Sequence, residues 1–129
     1  DKNVLLVDDS IVRGHTSKKI IQMVRDNGAK KLFFASASPP IRFQNVFGID
    51  MPAIKELVAH NRTIRQIKNF IGADELIYQD LDDLRSSASI GNPKITKFED
   101  SVFTGIYCDS FVTKKYLQKL EDNRQDVKR

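Results

Sequence analysis

Short apolar runs alternate with segments of helical periodicity along this chain. Residues 3–7 predict a strand, and its apolar run from Val4 to Val7 is typical of burial on both faces of a parallel sheet. Residues 31–36 and 75–79 predict a second and a third strand. The first two strands and the helix between them make a βαβ unit of about 33 residues. The pattern therefore predicts an α/β fold with a mainly parallel sheet and flanking helices.

The helix between the first two strands has recognisable start and stop signals. Thr16 or Ser17 is expected to cap its start, and Gly28 stands where a helix commonly ends. Its apolar residues are expected to share one face: Ile20, Met23 and Val24.

Further helices are predicted in the second half of the chain. Pro52 suits the first position of a helix that runs to about His60, because its fixed φ is compatible with that position. Thr63 is expected to cap the next helix and Gly72 to end it, with an apolar face of Ile64, Ile67 and Ile71. The remaining segments are a predicted helix over 80–89, a mostly loop region over 90–111, and a short amphipathic helix over 112–122.

Composition limits the class of protein. The chain has 129 residues, 40% of them hydrophobic and 29% charged, which is ordinary for one soluble globular domain. No apolar run approaches the roughly 18 residues of a membrane span. The net charge of +4 comes from basic residues scattered among 17 acids, so a nucleic-acid surface is not expected. Cys108, the single cysteine, fits a reducing cytoplasm. A start at Asp1, directly before a strand, suggests a piece of a longer protein.

Candidate chemistry is concentrated in VLLVDDSIVRGHTS, residues 4–17. Ligands of parallel α/β sheets bind at the carboxyl ends of the strands, where Asp8 and Asp9 stand. The loop that follows, with Gly14, allows backbone N–H groups to converge on an anion at a helix start. Two carboxylates beside such a site suit Mg²⁺ or the paired hydroxyls of a ribose. A purely structural role, in which both acids only cap the loop, is the alternative.

Response-regulator receiver domains also begin with a strand followed by an acidic pair, but the later signature residues of that family are missing here. The phosphoacceptor position holds Gly48, and Gln79 stands where a hydroxyl residue is expected. The Lys-Pro pair of receivers is replaced by Pro93 followed by Lys94. A receiver domain is therefore disfavoured.

The motif resembles the phosphoribosylpyrophosphate (PRPP) motif of type I phosphoribosyltransferases, and in detail that of the amidophosphoribosyltransferase family. Later segments are also similar to that family, in order: GAKKLFFASASPPIRFQNVFGIDMP, ELVAHNRT, IGADELIYQDLDDL and FEDSVFTGIY. The resemblance implies part of a type I phosphoribosyltransferase fold. It implies that residues 1–129 are the carboxyl-terminal portion of that domain, with its upstream part and a glutaminase domain lying outside this chain.

The resemblance also implies roles for individual residues. Asp8 and Asp9 would bind the ribose hydroxyls and the Mg²⁺ that accompanies PRPP. The other implied substrate-binding residues surround the 5′-phosphate: Ser10, Arg13, Gly14, His15, Thr16 and Ser17. Val12 replaces an Asp that base-salvage relatives use, which agrees with ammonia as the incoming nucleophile. His15 departs from the family, where many members have Thr.

The family's reaction follows from the same resemblance. Its members transfer ammonia from glutamine to PRPP, giving 5-phosphoribosylamine, pyrophosphate and glutamate, at the first step of purine biosynthesis. The family's loops for pyrophosphate binding and closure lie upstream, so no catalytic residue is expected in this chain and the chain alone is expected to be inactive. Purine nucleotides and a homo-oligomer are implied partners. Another type I phosphoribosyltransferase, or a non-catalytic module that binds ribose phosphates or nucleotides, remains the alternative.

An iron–sulfur cluster occurs in some members of the family but is not expected here. The matching positions hold Glu99 and Val102 instead of cysteines. Such a cluster needs about four thiolates, and this chain has one cysteine.

Overall fold

The computed structural model describes residues 1–126 of the chain. Three strands and five helices follow one another, together with a short 3₁₀ turn at Ile54–Glu56. In chain order they are β1 (Lys2–Asp8), α1 (His15–Asp26), β2 (Ala29–Ser36), α2 (Ile64–Ile71), β3 (Glu75–Tyr78), α3 (Leu81–Ser89), α4 (Ser101–Thr104) and α5 (Lys114–Asp126).

The three strands form one parallel sheet in the order β1-β2-β3. Their register brings Asp8, Ser36 and Tyr78 to the same carboxyl edge. Helices α1 and α2 pack against each other and against the sheet. The core lies between them and includes Ile21, Leu32, Phe34, Ile67, Ile71 and Leu76. The prediction of an α/β fold with a parallel sheet is confirmed.

The other face of the sheet is open. Leu5 and Val7 of β1 are 57% and 71% exposed, and Ile77 of β3 is 54% exposed. Among the strands of residues 1–126, β1 also pairs with β2 alone, so its second edge is unpaired. The expectation that the first strand is buried on both faces is therefore wrong for the described part of the chain.

The start of α1 differs from its prediction. The helix begins at His15, and Gly14 occupies the N-cap position without a side-chain cap. Thr16 and Ser17 lie inside the first turn, so neither of them is the capping residue. The end is as predicted, since the helix stops at Asp26 shortly before Gly28.

The buried face of α1 was also predicted incorrectly. Ile21 is the large apolar residue that faces the core, with Val24 partly buried beside it. Ile20 and Met23 are 37% and 65% exposed. Residues 20 and 23 lie about 100° from residues 21 and 24 around the helix axis, so one pair faces the core and the other turns away.

The helix predicted from Pro52 to about His60 is wrong. Only Ile54–Glu56 makes a 3₁₀ turn, after which Leu57 is extended. The consecutive residues Leu57, Val58 and Ala59 are all fully buried. A helix on the surface of a core buries only one face, so burial of three successive side chains does not suit a continued surface helix, and the chain instead turns over residues 58–61.

The remaining elements agree well with the sequence. Thr63 caps α2 and Gly72 ends it in the left-handed conformation, as predicted. Asp80 caps α3, whose range matches the prediction. Within the predicted loop over 90–111, α4 adds one short turn, and α5 begins two residues later than expected. No helix of the described residues has both the length and the apolar character needed to span a membrane.

Candidate functional site

The acidic pair lies at the carboxyl end of β1. The backbone N–H of Asp9 donates to Oδ1 of Asp8 at 2.9 Å, and the hydroxyl of Ser10 donates to Oδ1 of Asp9 at 3.1 Å. One oxygen of each carboxylate is thus held within the loop. Asp9 is exposed and Asp8 is half-buried. The pair can therefore accept hydrogen bonds from ribose hydroxyls or contribute ligands to a cation.

The loop after β1 presents a row of backbone donors. Among the described residues, no backbone N–H from position 10 to position 17 donates a hydrogen bond. The first bond of the α1 ladder runs from the N–H of Lys18 to the carbonyl of Gly14 at 3.0 Å. Unsatisfied N–H groups and the helix dipole both favour an anion at such a position. The anion site stays a prediction, and these open donors are compatible with it.

Gly14 is required at the turn for two independent reasons. Its φ is +75°, in the left-handed region that side chains rarely adopt. A Cβ at this position would lie 3.1 Å from Cε1 of Phe70 and 3.2 Å from Cγ2 of Val58. The loop therefore passes directly over two side chains from a distant part of the sequence.

A second segment anchors the loop from outside. The N–H of Val58 donates to the carbonyl of Val12 at 2.8 Å. The Nε of Arg13 donates to Oε2 of Glu56 at 2.9 Å. Since Leu57 is extended, Glu56 and Val58 both reach the loop. The segment 56–58 thus fixes the path of the backbone between the acidic pair and the helix.

An aromatic ring lies under the start of α1. The ring of Phe70 is 5.7 Å from that of His15, with the two planes at 64°. The Nζ of Lys18 and the Cζ of Arg62 each lie 5.6 Å from the centre of the same ring. We call these four residues the Phe70 cluster. The sequence motif pointed only to His15, because Phe70 and Arg62 come from another segment.

The eight residues predicted for the site lie at the end of β1, on the loop after it or in the first turn of α1, and they differ in accessibility. Arg13, His15 and Thr16 are exposed, whereas Ser17 is only 3% exposed and offers little surface to a ligand. Sequence reasoning missed Glu56, Val58 and Phe70. The apolar run at 57–59 was a usable signal for a buried segment, but no local pattern indicates that Glu56 pairs with Arg13.

The acidic pair suits a metal site in which the protein provides only one or two carboxylate ligands. Within residues 1–126, no group of three or more His, Cys, Asp or Glu side chains is arranged to hold a metal ion. Mg²⁺ is commonly bound by one or two carboxylates together with water and substrate phosphates. Asp8 and Asp9 fit this arrangement, in which the substrate completes the coordination.

The carboxyl edge also contains a buried phenol. The hydroxyl of Tyr78 is buried and has no hydrogen-bond partner among the described residues. Burial raises the pKa of Tyr78 to about 12, and the nearby Arg42 opposes this rise. Burial thus favours the neutral form of this phenol.

Comparisons with known proteins agree on one enzyme family. No family model matches the chain. The chain is 54% identical over 127 residues to the amidophosphoribosyltransferase of Pasteurella multocida and 56% identical over 126 residues to that of Escherichia coli. Each match covers 98% of this chain and 25% of the relative.

A solved structure of glutamine PRPP amidotransferase from B. subtilis, complexed with ADP and GMP, has the same fold. It is 34% identical with a TM-score of 0.72, over 87% of this chain and 25% of that one. The chain thus spans about a quarter of the length of the proteins it matches. Its α/β sheet is part of a phosphoribosyltransferase fold. Over nearly its whole length, the chain is therefore similar to one part of the amidophosphoribosyltransferases.

Proposed function

We propose that this chain supplies the ribose-phosphate half of the PRPP site in a glutamine-dependent amidophosphoribosyltransferase. The whole enzyme transfers ammonia from glutamine to PRPP and releases 5-phosphoribosylamine, pyrophosphate and glutamate. The observation that carries the proposal is the row of N–H groups at residues 10–17, none of which donates a bond within residues 1–126. This row lies beside an acidic pair at the carboxyl edge of a parallel sheet.

The 5′-phosphate of PRPP fits the loop. Backbone N–H groups from Ser10 to Ser17 donate to its oxygens, and the dipole of α1 favours its charge. Arg13, His15 and Thr16 add exposed donors around the same position. The buried Ser17 contributes mainly through its backbone. A phosphate held in this way fixes one end of the ribose.

The acidic pair handles the other end of the sugar. Asp8 and Asp9 accept hydrogen bonds from the two ribose hydroxyls and hold Mg²⁺ that arrives with PRPP. An ion held by these carboxylates would supply charge neutralisation for the pyrophosphate. Both carboxylates also stabilise the positive charge that develops on the ribose as the bond at the anomeric carbon breaks.

No residue of this chain acts as a catalytic acid or base in the proposal. Ammonia attacks the anomeric carbon with its own lone pair, and the apolar Val12 stands where base-salvage relatives have an Asp. The chain contributes by holding the phosphate and the sugar in position, which lowers the entropic part of the barrier. Other segments of the enzyme hold pyrophosphate and exclude water.

The open sheet supports the proposal that residues 1–129 are the carboxyl-terminal portion of a phosphoribosyltransferase domain. Leu5, Val7 and Ile77 are exposed on one face, and the outer edge of β1 is unpaired in the described part of the chain. Both surfaces suit cover by further strands and helices of the same domain. A glutaminase domain of the same protein then delivers the ammonia.

Regulation, assembly and location belong to the same proposal. The B. subtilis neighbour is a complex with ADP and GMP, which supports purine nucleotides as ligands of this protein as well. We also propose a homo-oligomer in the cytoplasm, where the exposed thiol of Cys108 remains reduced.

The test is a titration of the 129-residue chain with ribose 5-phosphate and Mg²⁺, followed by calorimetry and by amide NMR. We expect the amide resonances of residues 10–17 to move most. We also expect no phosphoribosylamine from PRPP and ammonia with this chain alone. Unchanged loop resonances contradict the phosphate site. Turnover by the chain alone that Asp9→Asn abolishes contradicts the division of the active site between this chain and other segments.

A further inference from the structure

Phe70 links the phosphate loop to three side chains that can carry positive charge. Its ring is the nearest contact of the position that a Cβ on Gly14 would occupy, at 3.1 Å. The rings of His15 and Phe70 meet edge to face, and Lys18 and Arg62 lie over the Phe70 ring. These side chains come from three places: the first turns of α1, the segment before α2, and α2 itself.

We propose that Phe70 is a positioning residue for the phosphate loop, and that its ring gathers His15, Lys18 and Arg62 into one cationic cluster beside the bound phosphate. This inference rests on the proposed function and adds a determinant of affinity outside the sequence motif. Phe70 touches neither the substrate nor the reacting atoms. It acts through Gly14, His15 and Lys18.

The physical basis is the charge distribution of the ring. The face of a phenyl ring is negative, so cations within about 6 Å of its centre are attracted to it. Lysine and arginine side chains otherwise move freely in water and lose entropy when they are held in place. The ring holds Lys18 near the helix start, and it holds Arg62 there together with a hydrogen bond from the Nη1 of Arg62 to the carbonyl of Val58 at 3.0 Å. This prior ordering reduces the entropy lost when phosphate binds.

The acidic residues near the Phe70 cluster do not cancel its positive charge. The nearest acid on the anchoring segment, Glu56, is paired with Arg13. Asp8 and Asp9 lie at the other end of the loop, six or more residues before His15. Lys18 and Arg62, both on one ring, therefore produce a positive potential at the start of α1, where the dipole has the same sign.

The deciding experiment changes the electrostatics of the ring and preserves its approximate shape. Phe70 is replaced site-specifically by 3,4,5-trifluorophenylalanine, which weakens the negative face of the ring. Phe70→Leu removes the ring but keeps an apolar side chain. The matched control is the same fluorinated residue at Phe33, a half-buried ring on β2 that takes no part in the cluster. Ribose 5-phosphate affinity is measured by calorimetry at 20 and 500 mM salt.

We expect fluorination at position 70 to weaken binding about fivefold at low salt, with a smaller difference at high salt because screening removes the contribution of the cluster. We expect Phe70→Leu to bind more weakly still and the Phe33 control to bind like wild type. Equal affinity of the fluorinated and wild-type proteins overturns the proposal. So does an equal loss at both salt concentrations, which indicates packing alone. If wild type itself does not bind, the proposed function fails first, and the wild-type titration makes that case distinguishable.

Discussion

Helices α1 and α2 pack side by side on one face of the sheet, yet their first turns are organised in opposite ways. In α2, the hydroxyl of Thr63 accepts from the N–H of Gln66 at 3.3 Å, and the side chain of Gln66 accepts from the N–H of Thr63 at 2.8 Å. In α1, Gly14 occupies the cap position and offers no side chain. The capping box thus satisfies backbone N–H groups at the start of α2. At the start of α1, the backbone N–H groups have no side-chain partner.

The two helix starts therefore have different roles: that of α2 contributes to the stability of the fold, and that of α1 is available for ligand binding. The capping box of α2 contributes to folding whether or not a ligand is present. The start of α1 lacks that contribution and is held from outside, by Val58, Glu56 and Phe70. An uncapped helix start is therefore informative when distant residues fix it in an ordered loop, because its donors are then available for an anion.

Gly14→Ala is expected to have the largest effect on this contrast. The alanine must adopt the left-handed backbone conformation of Gly14, and its Cβ would lie 3.1 Å from Cε1 of Phe70. The two penalties together predict a loss of roughly 2–4 kcal/mol in the free energy of unfolding. Because the loop must shift, ribose 5-phosphate affinity is expected to fall by more than tenfold. Urea unfolding and calorimetry measure the two quantities.

Gly28→Ala is the matched control for that substitution. Gly28 also has a positive φ, of +88°, but nothing lies within 4 Å of the position that its Cβ would occupy. We expect a loss of about 1 kcal/mol in stability and unchanged affinity. Similar affinity losses in both variants contradict the role of close packing under Gly14.

Asp9→Asn tests the acidic side of the loop. Removing the charge leaves the shape of the side chain nearly intact but weakens its attraction for a divalent cation. We expect the gain in PRPP affinity produced by Mg²⁺ to fall about tenfold, equivalent to about 1.4 kcal/mol. The control is Asp26→Asn, an exposed acid at the far end of α1. Equal dependence on Mg²⁺ in wild type and Asp9→Asn contradicts the metal role.

Thr63→Ala and Thr16→Ala compare the two helix starts directly. Thr63→Ala removes the capping box and is expected to cost about 1 kcal/mol in stability with no change in ribose 5-phosphate affinity. Thr16→Ala is expected to change stability by less than about 0.5 kcal/mol and to weaken binding about threefold, since it removes a donor to the phosphate. The pair is measured by thermal unfolding and calorimetry, and parallel effects in both variants contradict the contrast.

Asp74→Asn examines the opposite end of α1, which is closed by side chains. The N–H of Leu32 donates to the Asp74 carboxylate at 2.7 Å, and Arg25 donates to it at 2.9 Å. These contacts hold the pKa of Asp74 below its usual value of 3.8. The carboxylate therefore stabilises the fold above that pH, and the contribution disappears as the pH falls through the lowered pKa.

We accordingly expect Asp74→Asn to be less stable than wild type at pH 7, with a difference that shrinks on acidification below the usual pKa of 3.8. Urea unfolding at several pH values measures it, and Asp26→Asn again provides the control. A difference that stays constant down to pH 2.5 means that the charge of Asp74 does not contribute.

Local signals predicted most of the fold. The strands, the cap at Thr63, the glycine stop at Gly72 and the loop motif from Asp8 onward all follow from short-range physics. The failures arise from tertiary contacts. Pro52 is a good first residue for a helix, but Leu57, Val58 and Ala59 are all buried, which a helix on the surface of a core does not allow.

The candidate site divides in the same way. The residues predicted to bind ligand all lie within residues 8–17, so one motif contained them all. The residues that hold them, Glu56, Val58 and Phe70, are separated from the loop by more than 40 positions, as the 43-residue spacing of Arg13 and Glu56 illustrates. No periodicity or cap signal in a single sequence records such a pairing. Only the folded chain brings the two segments together.

The open face of the sheet has a practical consequence for handling the purified chain. Leu5, Val7 and Ile77 form an apolar surface next to the unpaired edge of β1. Exposed edges and apolar patches favour strand pairing between molecules, so colloidal stability, rather than the free energy of unfolding, will limit the usable protein concentration. A lysine at Val7 adds a charge to this surface without touching the core. We expect it to raise the concentration at which light scattering first detects aggregates.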